Sequence, residues 1–448
     1  MKNKVLFTAI LGLLFATIST NLEAQQTLSL EQAIQAGLAN SFTIKIEQND
    51  LEIAENRNDW AIAGKYPTID VNLANNSGFT NNNNPVSFLT QITSYSTGLV
   101  PSISSNLILF DGHRVQVTKQ QLEQNVRLES GNVAIAVENT IQNIILAYNQ
   151  ALLQQEQLEV LEEVLELSRD RIRYQEVRQE FGQGGAFDLL QSKDAYLNDS
   201  TNYLLQETNL QNALRTLNQA MSLEDVNQSY QLTDDLQLPA VNYQLEDLQD
   251  KMLANNRNLQ NAFVNRELAS LNTKIQEVAN YPRVTAGING SYNANLSSGE
   301  GTAASGETLT IDAVVARTLN IGVNITASYT LVDWGVRKRN IQNAQLQEIN
   351  SQYSIDDLKR NLNLQLTNTY ATYQNQKQLI ELTESLVRNA RQNLGIAEER
   401  FKGGQINSFD YRAVQLAFIN AEQSRLTAVF NLKATETELI RLTGGLVR

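Results

Sequence analysis

Residues 318–332 read TLNIGVNITASYTLV, and their alternation decides the fold. Leu319, Ile321, Val323, Ile325, Ala327, Tyr329 and Leu331 fall on one side of an extended chain, and Thr318, Asn320, Gly322, Asn324, Thr326, Ser328 and Thr330 on the other. One side is apolar; the other is polar but uncharged. After Tyr281-Pro282 the same period of two returns, with Val284, Ala286, Ile288, Gly290, Tyr292, Ala294 and Leu296 opposed to Thr285, Gly287, Asn289, Ser291, Asn293, Asn295 and Ser297. Ile69, Val71 and Leu73, then Ile103, Leu107 and Leu109, give a weaker version. Strands are therefore expected at about 67–79, 98–110, 283–297 and 318–333.

A strand half-buried in a soluble sandwich also alternates. These runs, however, exceed the roughly 9–11 residues needed to cross a bilayer, and their polar sides lack charge. Four strands cannot close a barrel with room inside, which takes about eight. Two sheet edges open to lipid would leave backbone donors and acceptors without partners. The chain is thus expected to share its strands with copies of itself; three copies give twelve strands, although the arithmetic admits other multiples.

The N-terminus supports export. Lys2 and Lys4 precede an apolar stretch from Val5 to Ile18, and Ala24 stands before Gln25, the pattern of a signal peptide over residues 1–24. That apolar stretch is shorter than the roughly 20 residues of a spanning helix. The 448 residues include no cysteine, so neither a disulfide nor a lipid-accepting thiol is expected, and stability must come from packing and assembly. The formal net charge is −13; losing two lysines and one glutamate with the leader makes it −14. An acidic exported chain without a basic cluster is a poor candidate for nucleic-acid binding.

The first half of the sequence can be laid on the second. Leu30, Glu31, Leu38, Ala39 and Asn40 match Leu245, Glu246, Leu253, Ala254 and Asn255 at an offset of 215, as Tyr66-Pro67 matches Tyr281-Pro282. Asp111 matches Asp333, and Gly182 to Asp188 (GQGGAFD) match Gly404 to Asp410 (GQINSFD), at an offset of 222. The change of seven falls in the polar Asn/Gly/Ser-rich stretches after each Tyr-Pro, which read as loops that tolerate insertion. Two repeats are expected, over 25–226 and 243–448, joined by a linker at 227–242 that contains Pro239.

Each repeat reads helix, strand, strand, very long helix, turn, helix. Ile34, Leu38, Ile44, Leu51, Ile53 and Ala54 predict a helix from Thr27 to Lys65, ended by Tyr66-Pro67. From His113 to near Gln179 no proline occurs and only Gly131 interrupts, giving a rod of roughly 100 Å at about 1.5 Å per residue. Leu158, Leu161, Leu165, Ser168 and Ile172, and likewise Leu379, Leu382, Leu386 and Leu394, follow the three-and-four spacing of coiled coils. Tip turns are expected at 181–187, with Gly182, Gly184 and Gly185, and at 402–408, with Gly403 and Gly404. Ala186 with Asp188, and Ser408 with Asp410, then open the returning helices. Each aspartate can simply favour a helix N-terminus.

Chemistry is sparse. His113 is the single histidine, and no cysteine or carboxylate cluster at ligand spacing suggests a metal. Gly182 to Gly185 lack the Gly-Lys-Ser/Thr of a phosphate loop. No nucleophile is paired with a base, so neither enzymatic activity nor a cofactor is expected.

The ordered set of Leu28-Ser29-Leu30-Glu31-Gln32-Ala33, Tyr66-Pro67, Leu109-Phe110-Asp111-Gly112, Tyr281-Pro282, Leu331-Val332-Asp333-Trp334-Gly335 and the two Gly…Asp turns resembles the TolC family of outer-membrane efflux proteins over nearly the whole mature chain. That resemblance implies a mixed α and β membrane protein. It would be a homotrimer with a twelve-stranded barrel in the outer membrane of a Gram-negative bacterium, over a coiled-coil α-barrel in the periplasm. It implies as partners outer-membrane lipid, a periplasmic adaptor (membrane fusion protein) and an inner-membrane pump of the RND or ABC class, with passive passage through the duct. Gly182 and Gly404 would lie in adaptor-docking grooves at the tip, Phe401 would match a constricting aromatic, and Asp410, with Asp188 as its repeat counterpart, would line the aperture. Ala413 stands where a second aperture aspartate would be expected, and Ile406 where an arginine bridge partner would be. Asp111-Gly112 and Asp333…Gly335 would be the strand-to-helix turns. A periplasmic coiled-coil adaptor or a filament-like structural protein is the competing reading.

Overall fold

The computed structural model describes residues 26–236 and 242–446. The expected signal peptide and Pro239 of the linker lie outside the described residues. In chain order the elements are β1 (Gln26–Leu28), α1 (Leu30–Asn40), α2 (Phe42–Arg57), β2 (Thr68–Asn83), β3 (Leu89–Phe110), α3 (Arg114–Glu180), α4 (Ala186–Ala220), β4 (Tyr230–Leu232), α5 (Leu245–Asn255), α6 (Arg257–Glu277), a short 3-10 turn (Val278–Asn280), β5 (Arg283–Ala303), β6 (Thr308–Ser328), α7 (Val336–Lys402) and α8 (Ser408–Leu442). These elements form two units, each drawing on both repeats. One comprises residues up to Glu47, Asn132–Gln260 and Leu358 onward, and the other Gln48–Gly131 and Asn261–Asp357.

The second unit carries the sheet. Its order is β2-β3-β5-β6, every neighbour antiparallel, so the β3–β5 ladder joins the two repeats. The strands are longer than the alternation suggested: β3 begins at Leu89 rather than near 98, β5 continues to Ala303, and β6 starts at Thr308 and stops at Ser328 rather than 333. The Asn/Ser/Gly-rich stretches taken for loops are mostly strand, because a strand polar on one side and only weakly apolar on the other hides its period. The seven extra residues of the second repeat accordingly lie mainly in a longer β5 and in residues 329–332 after β6.

The first unit is helical, with a parallel pairing of β1 and β4 at its edge. Its core gathers Leu28, Ala33, Ile144, Tyr148, Leu152, Leu214, Leu217 and Met221. Ser29 opens α1 with a capping box, accepting from the Gln32 amide while the Gln32 side chain accepts from the Ser29 amide. Tyr148 ties this end down, donating to Leu28 O at 2.9 Å and to the Asp234 carboxylate at 2.6 Å. Burial against that carboxylate drives the Tyr148 phenol well above its ordinary pKa.

The predicted helix from Thr27 to Lys65 is broken. Thr27 and Leu28 are strand, and the helix is interrupted at Ser41, whose hydroxyl accepts from the Ile44 amide at 3.3 Å and starts α2. Asn256 does the same in the second repeat, its side chain accepting from the Leu259 amide at 3.0 Å. Serine and asparagine compete for local backbone donors, and that competition overrides an otherwise continuous helical period.

The long helices are nearly where the sequence predicts them, and their buried stripes agree in part, at Leu161, Ser168 and Leu394. On α3 the buried series is Leu161, Val164, Ser168, Arg171 and Gln175; on α7 it is Ile380, Val387, Ala390, Leu394, Ala397 and Phe401. The α3 series keeps three-and-four spacing throughout and the α7 series does so from Val387 onward, after a gap of seven from Ile380. Leu379, Leu382 and Leu386 are exposed within the chain.

Candidate functional site

In the sheet, register places side chains on faces. Ile69, Val71 and Leu73 of β2 pair with Ser105, Ile103 and Pro101 of β3; Ile103 pairs with Gly290 of β5, and Gly290 with Ile321 of β6. Val284, Ala286, Ile288 and Tyr292 oppose Ala327, Ile325, Val323 and Leu319. One face is thus apolar across all four strands, interrupted by Arg317 opposite Ala294 and by Glu300 opposite Thr93, with the Phe79–Tyr95 ring pair at 5.0 Å toward the hairpin end. The other carries Asn72, Ser102, Ser104, Asn289, Ser291, Asn320 and Asn324, with Asp70 its charge on β2. Every residue of β2 and nearly every residue of β6 is exposed, and both strands end the sheet with an unpaired edge. No described helix is long and apolar enough to cross a membrane.

Where strands meet helices, both repeats use the same backbone. Gly112 and His113 are left-handed (φ +69° and +71°), as are Trp334 and Gly335 (φ +54° and +80°). The pair is displaced by 222 residues, but glycine takes the first place in one repeat and the second in the other. Asp333 fixes its turn by accepting from the amides of Gly335 at 3.0 Å and Arg337 at 2.9 Å. Those amides, the Arg337 one foremost, hold the Asp333 carboxyl below its ordinary pKa. Asp111 is buried.

The tip turns of the helical unit are duplicates as well. Gly182 (φ +68°) accompanies bonds from the Gln183 amide to Arg178 O at 2.9 Å and from the Gly182 amide to Gln179 O at 3.0 Å. Gly404 (φ +70°) accompanies the same two bonds, Gln405 to Arg400 at 2.8 Å and Gly404 to Phe401 at 3.0 Å. This is the Schellman ending, which needs the left-handed residue. Gly184 and Gly185 complete the first turn, Gly185 preceding Ala186 without a side-chain cap, whereas Asn407 caps Ser408 onward by accepting from Phe409 and Asp410. Gly403 lies just ahead of Gly404 with its amide bonded to Glu399 O. Ser192 and Ser408, both buried, lie 3.3 Å apart through their hydroxyls.

Asp188 is half-buried and Asp410 exposed, and neither makes an ion pair among the described residues. Phe401 is placed differently from an aperture side chain: it is 3% exposed, stacked on Tyr411 at 5.0 Å and tilted against Tyr174 at 5.3 Å, within the core of the helical tip. The aromatic rings that stand free are Phe181, Phe187 and Phe409, at 75%, 75% and 69% exposure. Phe187 and Phe409 are repeat counterparts, each immediately before an aspartate, so a duplicated Phe-Asp pair follows the glycines of each turn.

A buried polar cluster backs the tip. Arg412 of α8 grips Asp199 of α4 with both guanidinium nitrogens, Nη1 at 2.8 Å, and Ser168 of α3 donates to the same carboxylate. Arg171, 3% exposed, donates to Gln415 at 3.2 Å. Burial, with Arg412 nearby, lowers the Arg171 pKa to about 10. These positions follow the buried heptad of α3, so the periodicity was visible, but the partners come from other helices. Among the described residues no cluster of His, Cys, Asp and Glu could hold a metal.

The profile of the outer membrane efflux protein family matches residues 33–223 and 248–445. This chain belongs to the outer membrane efflux protein family. Its fold is that of solved outer-membrane channels. The Campylobacter jejuni CmeC channel superposes with a TM-score of 0.71 at 16% identity, over 93% of this chain and 85% of that one. VceC of Vibrio cholerae gives 0.72 at 15%, over 93% and 96%. The open state of the Neisseria gonorrhoeae MtrE channel gives 0.68 at 17%, over 93% and 89%. No curated protein sequence matches. As an efflux-family member the protein is an outer-membrane channel component of a Gram-negative cell that reaches into the periplasm.

Proposed function

We propose that this efflux-family chain is one third of a homotrimeric exit duct, passive in itself, that completes a tripartite efflux or type I secretion assembly. In this reading a periplasmic adaptor docks at the tip turns and an inner-membrane RND or ABC pump supplies the energy. The observation that carries it is the open sheet: four strands with an apolar face, a polar face and two free edges, β2 and β6. Such a sheet is stable in lipid only when its edges are paired, and copies of the same chain offer matching edges. Twelve strands then enclose a polar-walled channel.

Helix surfaces support the same assembly. Leu190, Leu197 and Leu204 stand seven residues apart on α4, each about three-fifths exposed, and Leu379, Leu382 and Leu386 form a second free stripe on α7. Two unpaired heptad seams in one chain are the interface of a coiled coil between chains. At the tip, Asp188 and Asp410 supply negative charge that makes no ion pair among the described residues, and Phe187, Phe409, Gly182 and Gly404 supply an exposed docking surface.

The test is electrophoresis without heating together with planar-bilayer conductance. A trimer that dissociates on boiling and forms water-filled, cation-preferring channels is expected. A detergent-free soluble monomer without conductance would overturn the reading in favour of a periplasmic structural protein.

A further inference from the structure

We propose that the loop after β6, with the first turn of α7, is a foot that seats on anionic phospholipid headgroups of the periplasmic leaflet of the outer membrane. The proposal rests on the barrel reading above. In the first repeat the strand runs straight to Phe110 and its turn, whereas in the second β6 stops at Ser328 and residues 329–332 intervene. Those residues hold apolar side chains in the open: Leu331 is 87% exposed, Val332 67% and Trp334 87%. An aqueous setting gives no reason for such exposure, and Tyr329 and Leu331 continue the parity of the apolar face that ends at Ala327.

The exposure is built rather than slack. Arg337 donates to Thr330 O at 2.7 Å and to the Tyr329 hydroxyl at 3.3 Å, and its guanidinium lies 5.2 Å from the Tyr329 ring centre. Arg339 donates to Trp334 O at 3.0 Å, holding a left-handed residue whose indole projects outward. Two arginines therefore fix the backbone that displays Leu331 and Trp334.

The one acid beside this apolar edge, Asp333, is engaged by its own turn amides and by Arg337 at 3.7 Å, which leaves Lys338 and Arg339 as cations without an acidic partner among the described residues. Arg337, Lys338 and Arg339 occupy the first turn of α7, where the helix dipole disfavours cations, so the run does not serve the helix. Lys338 has no ion pair among the described residues, and with Asn280, Leu331, Arg337, Ile341 and the Arg337-paired Asp333 it lines a groove of about 480 Å³. Indole and tyrosyl rings at headgroup depth, with lysine and arginine beside them, fit a phosphodiester surface. In a chain of net charge −13 the local reversal of sign selects an anionic lipid over a zwitterionic one.

The full chain is to be reconstituted in nanodiscs of phosphatidylcholine with and without phosphatidylglycerol. The Trp60→Phe variant leaves Trp334 as the single tryptophan. Brominated phosphatidylglycerol should quench Trp334 emission. Lipid retained after delipidation, quantified by mass spectrometry, should favour phosphatidylglycerol by about threefold and approach parity in Lys338→Glu and in the Lys338→Glu/Arg339→Glu double variant. Lys338→Glu touches no internal contact, so its fold is retained, and channel conductance verifies this. Unquenched Trp334, or equal lipid preference in wild type and variants of a conducting channel, overturns this inference alone. A wild-type chain that inserts no conducting channel overturns the barrel reading and this one with it.

Discussion

Arg412 and Asp199 join two helices of the tip through a two-pronged ion pair, with the Asp199 side chain 4% and the Arg412 side chain 17% exposed. Because Ser168 also donates to Asp199, the carboxylate ties three helices rather than two. Removing one partner of a buried pair leaves an uncompensated charge and costs about 3–5 kcal/mol. Asp199→Ala should therefore accelerate hydrogen exchange around residues 190–200 and 408–418 by about a hundredfold or more. The Asp199→Ala/Arg412→Ala double variant should lose less than the two single losses added together. Additive losses would mean that the pair contributes no coupling.

The two tip glycines separate a turn requirement from a docking requirement. A Cβ at Gly182 or Gly404 would meet nothing within 4 Å, so alanine there costs only the left-handed backbone, about 1–2 kcal/mol. Gly444 has a similar φ of +66°, but its Cβ would lie 2.5 Å from Asn255 O. Thermal or exchange measurements should rank Gly444→Ala as clearly the most damaging, with Gly182→Ala and Gly404→Ala mild and alike. If the adaptor grooves are at the tip, the mild pair should nonetheless weaken adaptor binding measured by pull-down or interferometry.

Asp410 and Asp188 make no ion pair among the described residues, and a ring of three such groups favours cations in a narrow passage. Asp410→Ala should lower the cation-over-anion permeability ratio, read from the reversal potential in a salt gradient, by about twofold or more. Asp188→Ala should have a smaller effect, since Asp188 is half-buried where Asp410 is exposed. Unchanged reversal potentials in Asp410→Ala would remove it from the aperture.

Much of this architecture was legible because it is periodic. The proline-free run after His113 placed α3 to within a residue, and the glycine turns located both tips, since a Schellman ending imposes one glycine at one place. What escaped were features decided by local side-chain competition for backbone donors or by partners distant in sequence. Ser41 breaks a helix whose apolar period continues through it. Residues 89–97 are strand although serine and threonine blur the alternation, because their pairing with β2 and β5 supplies the order. Phe401 is read by its motif as an aperture ring, yet Tyr411 from the returning helix stacks on it and holds it inside. The leucines at 379, 382 and 386 looked like a core because leucine usually is one; the core of α7 instead uses Ile380 and Val387, one residue beyond Leu379 and Leu386, together with Ala390 and Leu394.

That displaced stripe leads to the assembly itself. Leu190, Leu197 and Leu204 have little reason to be exposed at heptad spacing in a finished protein, and burying the three-fifths of each that is open is worth about 1–2 kcal/mol. The triple variant Leu190→Gln/Leu197→Gln/Leu204→Gln removes no contact of the core within the chain, whose helical tip is held by residues such as Leu161, Val164, Leu394 and Phe418. Helical circular dichroism should therefore be nearly unchanged, while association loses about 3–5 kcal/mol per interface. The trimer expected for the parent on unheated gels and in detergent size exclusion should become dissociable at micromolar concentration. A variant that is as resistant to dissociation as the parent would show that α4 presents these leucines to something other than a second copy of the chain.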